Sequence, residues 1–471
     1  MEYPIWIGGE PVYASERKKI ELPYDGTLVG EVCQADAARV DVAAEAAHQA
    51  ARVMREMPLA ERAAILRRVQ QAVVERKEAL AHILSSESGK PIWEARLELD
   101  RAAQTLLFSA EEAHRLCGEV VPADAAPAGK GRWAMTLREP LGVVAAITPF
   151  NFPLNLSVHK IGPAIAAGNA VVHKPASATP MIALELARIF HECGLPAGAL
   201  NVIPGAGGAI GDLLVQDPRV AMVTFTGSPE VGHRIRSLAG MKRVTLELGS
   251  NSAVIVAEDA DLEEAVPRCI TGAYANSGQV CISVQRIYVQ EQVAAEFEER
   301  MVEGARALKI GHPHDPETRI SSLITVQEAE RVESWIAEAV QAGARLLTGG
   351  ARRRATVEPA VLTDVPPTVK ISCQEAFGPL VAINRYRTLE EAIAMVNDSV
   401  YGLQASIFTR DLRKAFQAAR EVHVGGFLIN EAPSYRLDQM PYGGVKLSGT
   451  GREGPRYAVQ EMTECKLVLW R

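Results

Sequence analysis

Val143-Val144-Ala145-Ala146-Ile147, followed by Thr148-Pro149-Phe150-Asn151-Phe152-Pro153, is the stretch from which the fold can be read. Five apolar residues in succession, closed by a proline-bracketed turn, fit a strand buried on both faces rather than one face of an amphipathic element. The pattern outward from it is regular. A helix is expected over Lys160–Ala167, a strand over Ala170–His173, a helix over Met181–Cys193 ended by Gly194, and a strand over Leu200–Ile203. Ile210–Gln216, Met222–Phe225, Pro229–Ala239 and Arg243–Glu247 continue as helix, strand, helix, strand. That rhythm predicts an α/β fold with a doubly wound parallel sheet.

A second alternating set follows Glu247, with strands near Ala253–Val256, Gln285–Val289, Arg345–Thr348, Ala360–Thr363, Pro379–Tyr386, Ala405–Phe408 and Phe427–Asn430. It predicts a second α/β domain. Before the first set, helical periodicity covers Ala38–Met54, Leu59–Ser85 and Trp93–Cys117, and short strands surround Gly8-Gly9. Val120–Ala128 and Trp133–Glu139 read as a two-stranded ribbon across Gly129-Lys130-Gly131, with no core to join. The last residues, Lys466 to Trp470, read as a strand with an exposed edge, suited to pairing with the ribbon of another protomer. The expected division is 1–118 with 141–248 as a cofactor-binding domain, 249–438 as a catalytic domain, and 119–140 with 439–471 as an oligomerisation arm.

Composition narrows the partners. At 471 residues the chain can bury more than one core. A net charge of -7 argues against nucleic acid or an anionic membrane as the main partner. Met1-Glu2-Tyr3-Pro4 lacks the basic start and apolar run of a secretory signal. The seven cysteines (Cys33, Cys117, Cys193, Cys269, Cys281, Cys373 and Cys465) show neither C-x-x-C spacing nor a paired framework. Reduced thiols in the cytoplasm are expected, with no metal site; His312-Pro313-His314 lacks a third ligand.

Cys281 stands out among the thiols. It lies in Asn276-Ser277-Gly278-Gln279-Val280-Cys281-Ile282-Ser283, between a helix-like run and a strand-like run. There it can present its sulfur and backbone N–H to one bound carbonyl, the layout covalent catalysis requires. Asn151 follows a buried strand, as do Lys174 and Glu247, so all three fall at the carboxyl edge where such sheets bind ligands. Glu247, between apolar neighbours, would have a raised pKa and suit a general base. Gly205-Ala206-Gly207 fails the dinucleotide spacing, since Gly208 and Gly211 follow instead of a glycine three places on. Phe225-Thr226-Gly227-Ser228-Pro229 opens a helix and offers free N–H groups to a pyrophosphate.

Taken together, Pro149–Pro153, Lys174-Pro175-Ala176, Phe225–Ser228, Glu247-Leu248-Gly249, Gly278–Cys281, Glu375-Ala376-Phe377-Gly378-Pro379 and Pro441-Tyr442-Gly443-Gly444-Val445-Lys446-Leu447-Ser448-Gly449 occur in the order and spacing of one family. Over nearly its whole length the chain resembles the NAD(P)-dependent aldehyde dehydrogenases. Its details are similar to the branch holding lactaldehyde, non-phosphorylating glyceraldehyde-3-phosphate and phosphonoacetaldehyde dehydrogenases. The resemblance implies that Cys281 attacks an aldehyde, that the Asn151 amide and the Cys281 N–H form an oxyanion hole, and that Glu247 activates water to hydrolyse the thioester. It also implies NADP or NAD contacts at Thr148, Phe150, Lys174, Ser177, Gly207, Gly211, Phe225, Gly227, Ser228, Glu375 and Phe377.

Ser177 stands where NAD-preferring relatives often carry an acid, so acceptance of NADP is expected. The implied substrate is a short, polar or anionic aldehyde. Arg101 and Arg436 are candidate anion contacts, although structural or surface roles suit both. CoA-acylating oxidation is the alternative, disfavoured by the presence of Glu247, and a non-enzymatic role on the same fold is the remaining one. Self-association as a dimer or tetramer is expected.

Overall fold

In the computed structural model, which describes residues 2–471, two large sheets carry the alternating segments. The first has five parallel strands in the order Leu200–Val202, Ala170–Lys174, Val143–Ile147, Val220–Thr226 and Arg243–Glu247. Numbered along the chain this is 3-2-1-4-5, with the reversal between Val143–Ile147 and Val220–Thr226. Such a reversal leaves a crevice beyond the carboxyl ends of the two diverging strands. Antiparallel strands close both edges: the hairpin Ile5–Ile7/Glu10–Val12 across Gly8-Gly9 on one side, and Gly449–Thr450 on the other. Gly449–Thr450, grouped with the arm on sequence grounds, thus lies beside Glu247.

The second sheet has seven strands, all parallel except the edge pair Arg345–Thr348 and Ala360–Thr363. It starts at Ala253–Val256, six residues past Glu247. Most central strands of both sheets are buried on both faces, which explains why they read as continuous apolar runs.

Several expectations need correction. The run Leu59–Ser85 is two helices, Leu59–Glu75 and Lys77–Ser88, broken at Arg76. The helix expected from Lys160 begins at Pro153, where the missing N–H and fixed φ of proline suit a first turn. The ribbon's first strand is only Val120–Val121, followed by two short turns, Ala123–Ala125 and Pro127–Gly129. The terminal strand, Thr463–Trp470, pairs antiparallel with Trp133–Pro140 of its own chain over eight residue pairs. A three-stranded arm results, leaving Trp133, Leu467, Leu469 and Trp470 exposed.

Candidate active site

The crevice at the strand reversal is a cavity of about 620 Å³, within the size range of small-ligand sites. Its walls bring together Thr148, Phe150, Asn151, Lys174, Gly207, Gly211, Phe225, Gly227, Ser228, Glu247, Cys281, Glu375 and Phe377. Of the catalytic and cofactor candidates only Ser177 is not among them, and the candidate anion contacts Arg101 and Arg436 also lie outside the walls. The Ser177 hydroxyl donates to the Gly205 carbonyl at 2.9 Å, while its own carbonyl accepts from Lys18 Nζ at 3.0 Å.

Cys281 is held by an unusual loop. Asn276, Ser277 and Gly278 take successive left-handed conformations, with φ of 49°, 54° and 77°. At Gly278 a β-carbon would sit 2.1 Å from the Gly378 carbonyl oxygen, so only glycine fits. The loop is pinned from a helix far earlier in the chain. Glu94, buried on helix Ile92–Arg115, accepts the Asn276 N–H at 2.8 and 2.9 Å. One turn along, Glu98 accepts the N–H groups of Leu154 and Asn155 at 2.9 and 3.1 Å and takes an ion pair from Lys90 at 2.5 Å. Lys90 also donates to the Asn151 carbonyl at 2.7 Å. One helix therefore sets both the thiol loop and the segment bearing Asn151.

Asn151 donates one amide hydrogen to the Gln279 carbonyl at 3.0 Å. A primary amide has two, so one remains. The Cys281 sulfur lies 2.9 Å from the Tyr442 hydroxyl. Burial pushes the thiol up to about 11, with Glu375 and Glu247 adding to the effect, while Tyr442 and Arg436 oppose it.

Glu247 is 2 % exposed, and neither carboxylate oxygen has a hydrogen-bond partner among the described residues. Burial, reinforced by the Glu453 charge, raises its pKa well above the ordinary carboxylate value. Glu453 behaves oppositely: Lys160 Nζ at 2.6 Å, assisted by Arg436, keeps it ionised. Two neighbouring carboxylates are thus driven apart, one pushed toward its protonated form and one fixed as an anion.

The remainder of the cavity suits a dinucleotide. β-Carbons at Gly207, Gly208 and Gly211 would meet nothing within 4 Å, so their backbone faces open space. Ser228 caps helix Pro229–Leu238 by accepting the Val231 N–H at 3.4 Å, Gly232 donates to the Ser228 carbonyl, and the Glu230 N–H is left for an anion. Phe225 packs under Gly227, where a β-carbon would clash at 2.4 Å. Phe150 and Phe377 meet edge to face at 5.8 Å. Glu375, raised to about 7 by burial, accepts the Ser250 N–H at 2.9 Å. Among the described residues Lys174 has no carboxylate partner; burial and the nearby Lys18 charge lower it to about 8. Thr148 bonds the buried, neutral His173 at 2.9 Å. Among the described residues no cluster of histidine, cysteine and carboxylate side chains is placed to hold a metal.

The sequence reading missed a buried charge network behind the thiol. Lys160, the one lysine in a helix whose residues are all buried, bonds Thr226 at 2.7 Å as well as Glu453. A lone charge in such a helix was the available signal, because a buried charge requires a partner. Arg436 lies 3.7 Å over the Tyr442 ring and 3.4 Å from Glu453. Arg101 grips Asp438 through two nitrogens at 2.9 and 3.2 Å. Asp438 also pairs with His159 at 2.9 Å and Asn155 at 3.0 Å.

A half-buried thiol, a free amide hydrogen, an unpartnered carboxylate and a dinucleotide-shaped crevice define a cofactor-dependent oxidoreductase of the thiol type. The chain belongs to the aldehyde dehydrogenase family, whose model matches residues 12–468. It is similar to 3-sulfolactaldehyde dehydrogenase of Priestia megaterium, with 47% identity over 468 residues covering 99% of this chain and 98% of the relative. Among solved structures it resembles aldehyde dehydrogenase 21 of Physcomitrella patens in complex with succinate, with TM-score 0.98, 40% identity, and 100% and 98% of the chains covered. Glyceraldehyde-3-phosphate dehydrogenase of Methanocaldococcus jannaschii complexed with NADP superposes with TM-score 0.94 at 39% identity, over 97% of this chain and 100% of that one. The protein is an aldehyde dehydrogenase that uses NADP or NAD.

Proposed function

We propose that the protein oxidises a short, hydroxylated or anionic aldehyde to its carboxylic acid by a hydrolytic route through a thioester on Cys281. The observation that carries this reading is the presence of the Cys281 thiol and the unpartnered, buried Glu247 carboxylate on the walls of one cavity. In this mechanism sulfur attacks the aldehyde carbon while the developing oxyanion accepts the spare Asn151 amide hydrogen and the Cys281 N–H. When bound, the nicotinamide supplies the hydride acceptor. Glu247 then takes a proton from water, which attacks the thioester and releases the acid. Removing one oxyanion donor from such a site typically lowers kcat by roughly 10²–10³.

The charge balance supports an anionic substrate. Lys160, Arg436 and Arg101 bring three positive charges behind the thiol, against ionised Glu453 and Asp438, while Glu247 is held toward its neutral form. The Priestia megaterium relative is named for an anionic aldehyde, sulfolactaldehyde, and the Physcomitrella patens structure holds a dicarboxylate product. Arg101 and Arg436 contribute through this field, since Asp438 and Glu453 already hold their guanidinium groups.

NADP is the preferred cofactor in this reading. Among the described residues Lys174 has no acid partner, and Lys18 donates to the Ser177 carbonyl, so two ammonium groups near Ser177 favour the added charge of a 2′-phosphate. The exposed apolar face of the arm supports self-association as a dimer or tetramer, which light scattering would count. A cytoplasmic location suits the seven unpaired thiols.

The test is a panel of short aldehydes against NADP and NAD, with and without CoA, and with the product identified. Free carboxylic acid formed at a CoA-independent rate is expected. An acyl-CoA product, or a large preference for uncharged long-chain aldehydes, would overturn the reading.

A further inference from the structure

The contact between Tyr442 and Cys281 is unexplained by the roles given so far. The hydroxyl lies 2.9 Å from Sγ, close for a contact to sulfur. Tyr442 is 5 % exposed, and its position is fixed from two directions. Its backbone exchanges two hydrogen bonds with Glu453, at 3.1 and 2.7 Å. Its ring carries the Arg436 guanidinium 3.7 Å from the centroid, and that side chain is itself only 6 % exposed. A cation over a phenol ring draws electron density from it and makes the O–H a stronger donor.

We propose that the Tyr442 hydroxyl is a catalytic hydrogen-bond donor to the Cys281 sulfur, with Arg436 as the residue that positions and polarises it. The donor acts at two moments, and this inference rests on Cys281 being the nucleophile. As the C–S bond forms, the thiol proton passes by way of the Glu247 carboxylate to bulk solvent, so that Glu247 is ionised again before hydrolysis, and the phenol stabilises the negative charge on sulfur. When the hydrated thioester collapses, the C–S bond breaks and its electron pair stays on sulfur, where the same O–H receives it. Tyr442 keeps its proton throughout. Burial holds the phenol well above its ordinary value, so it acts as donor and not as proton carrier.

A purely space-filling tyrosine would touch the sulfur equally well, and Tyr442→Phe separates the two because it keeps the ring and removes the O–H. The measurement is the rate at which iodoacetamide alkylates Cys281 in the whole enzyme, without cofactor, as a function of pH. It is paired with steady-state kinetics and a thermal melt of each variant. A hydrogen bond to a charged group is worth roughly a ten- to hundredfold change in an equilibrium. Tyr442→Phe should therefore move the alkylation midpoint up by about one to two pH units and lower kcat by roughly ten- to hundredfold. KM for the aldehyde should change by less than about threefold, since the lost bond is made to sulfur and not to bound aldehyde. Arg436→Met should shift the midpoint the same way by a smaller amount. If Tyr442→Phe melts like the wild type, titrates at the same pH and keeps its kcat, the tyrosine is only a wall of the pocket. If the wild type is not alkylated at Cys281 at all, the nucleophile assignment fails first and takes this inference with it.

Discussion

Glu94 makes a demanding test of how the thiol is held, because it does not line the cavity and lies on a helix 182 residues before the loop residue it binds. Asn276 and Ser277 are non-glycine residues in left-handed backbone, at φ of 49° and 54°. That conformation costs about 1–2 kcal/mol per residue, or roughly 2–4 kcal/mol for the two together. Glu94 opposes this by accepting the Asn276 N–H at 2.8 and 2.9 Å. Leaving that buried N–H without a partner costs about 1–3 kcal/mol, which is the same size as the strain. Glu94→Ala should therefore let the loop relax in much of the population. The expected result is a loss of stability of about 1–3 kcal/mol by denaturant titration and a fall in kcat/KM of roughly five- to hundredfold.

Glu94→Gln keeps an acceptor and should recover most of the activity. It also tests the charge. Burial raises Glu94 to about 7 from 4.5, so its favourable contribution is complete below pH 4.5 and is lost as pH rises through 7. Relative to wild type, Glu94→Gln should gain stability between pH 5 and 8, by about 3 kcal/mol at most. Were Glu94→Ala to keep kcat/KM within about twofold and an unchanged thiol alkylation rate, the loop would not need this clamp and the strain argument would fail.

Three further outcomes are expected. Glu247→Gln should give a single-turnover burst of reduced cofactor followed by a steady-state rate lowered by roughly 10²–10⁴. In wild type the hydrolysis step should speed up as pH rises through a midpoint well above 4.5, because the base must be ionised to act; stopped-flow traces across pH measure both. Ser177→Glu should move the kcat/KM ratio toward NAD by roughly ten- to hundredfold through repulsion of a 2′-phosphate, and Lys18→Ala should shift it the same way by less. Asp438→Ala should cost about 3–5 kcal/mol, since it strands Arg101 and the buried His159. The Asp438 carboxyl is held far below its ordinary value, so its contribution is present above pH 4 and is lost as acid protonates it. An acid-unfolding midpoint unchanged in Asp438→Asn would contradict that assignment.

The sequence alone determined the two parallel sheets and the edge on which Asn151, Lys174 and Glu247 sit. Strands buried on both faces must be short apolar runs, and the residue after each run falls at the carboxyl edge wherever the strands lie in space. It also placed Cys281 in a glycine turn, because the backbone there admits no β-carbon. What it left open required distance through space. The partner of Thr463–Trp470 is a strand more than 300 positions away, as the Lys466–Glu139 bond shows. An exposed edge strand looks the same whether its mate is in its own chain or another. The partner of Lys160 and the Tyr442 hydroxyl on the sulfur were equally hidden. Each depends on which side chains packing brings within 3 Å, and neither periodicity nor motif spacing encodes that.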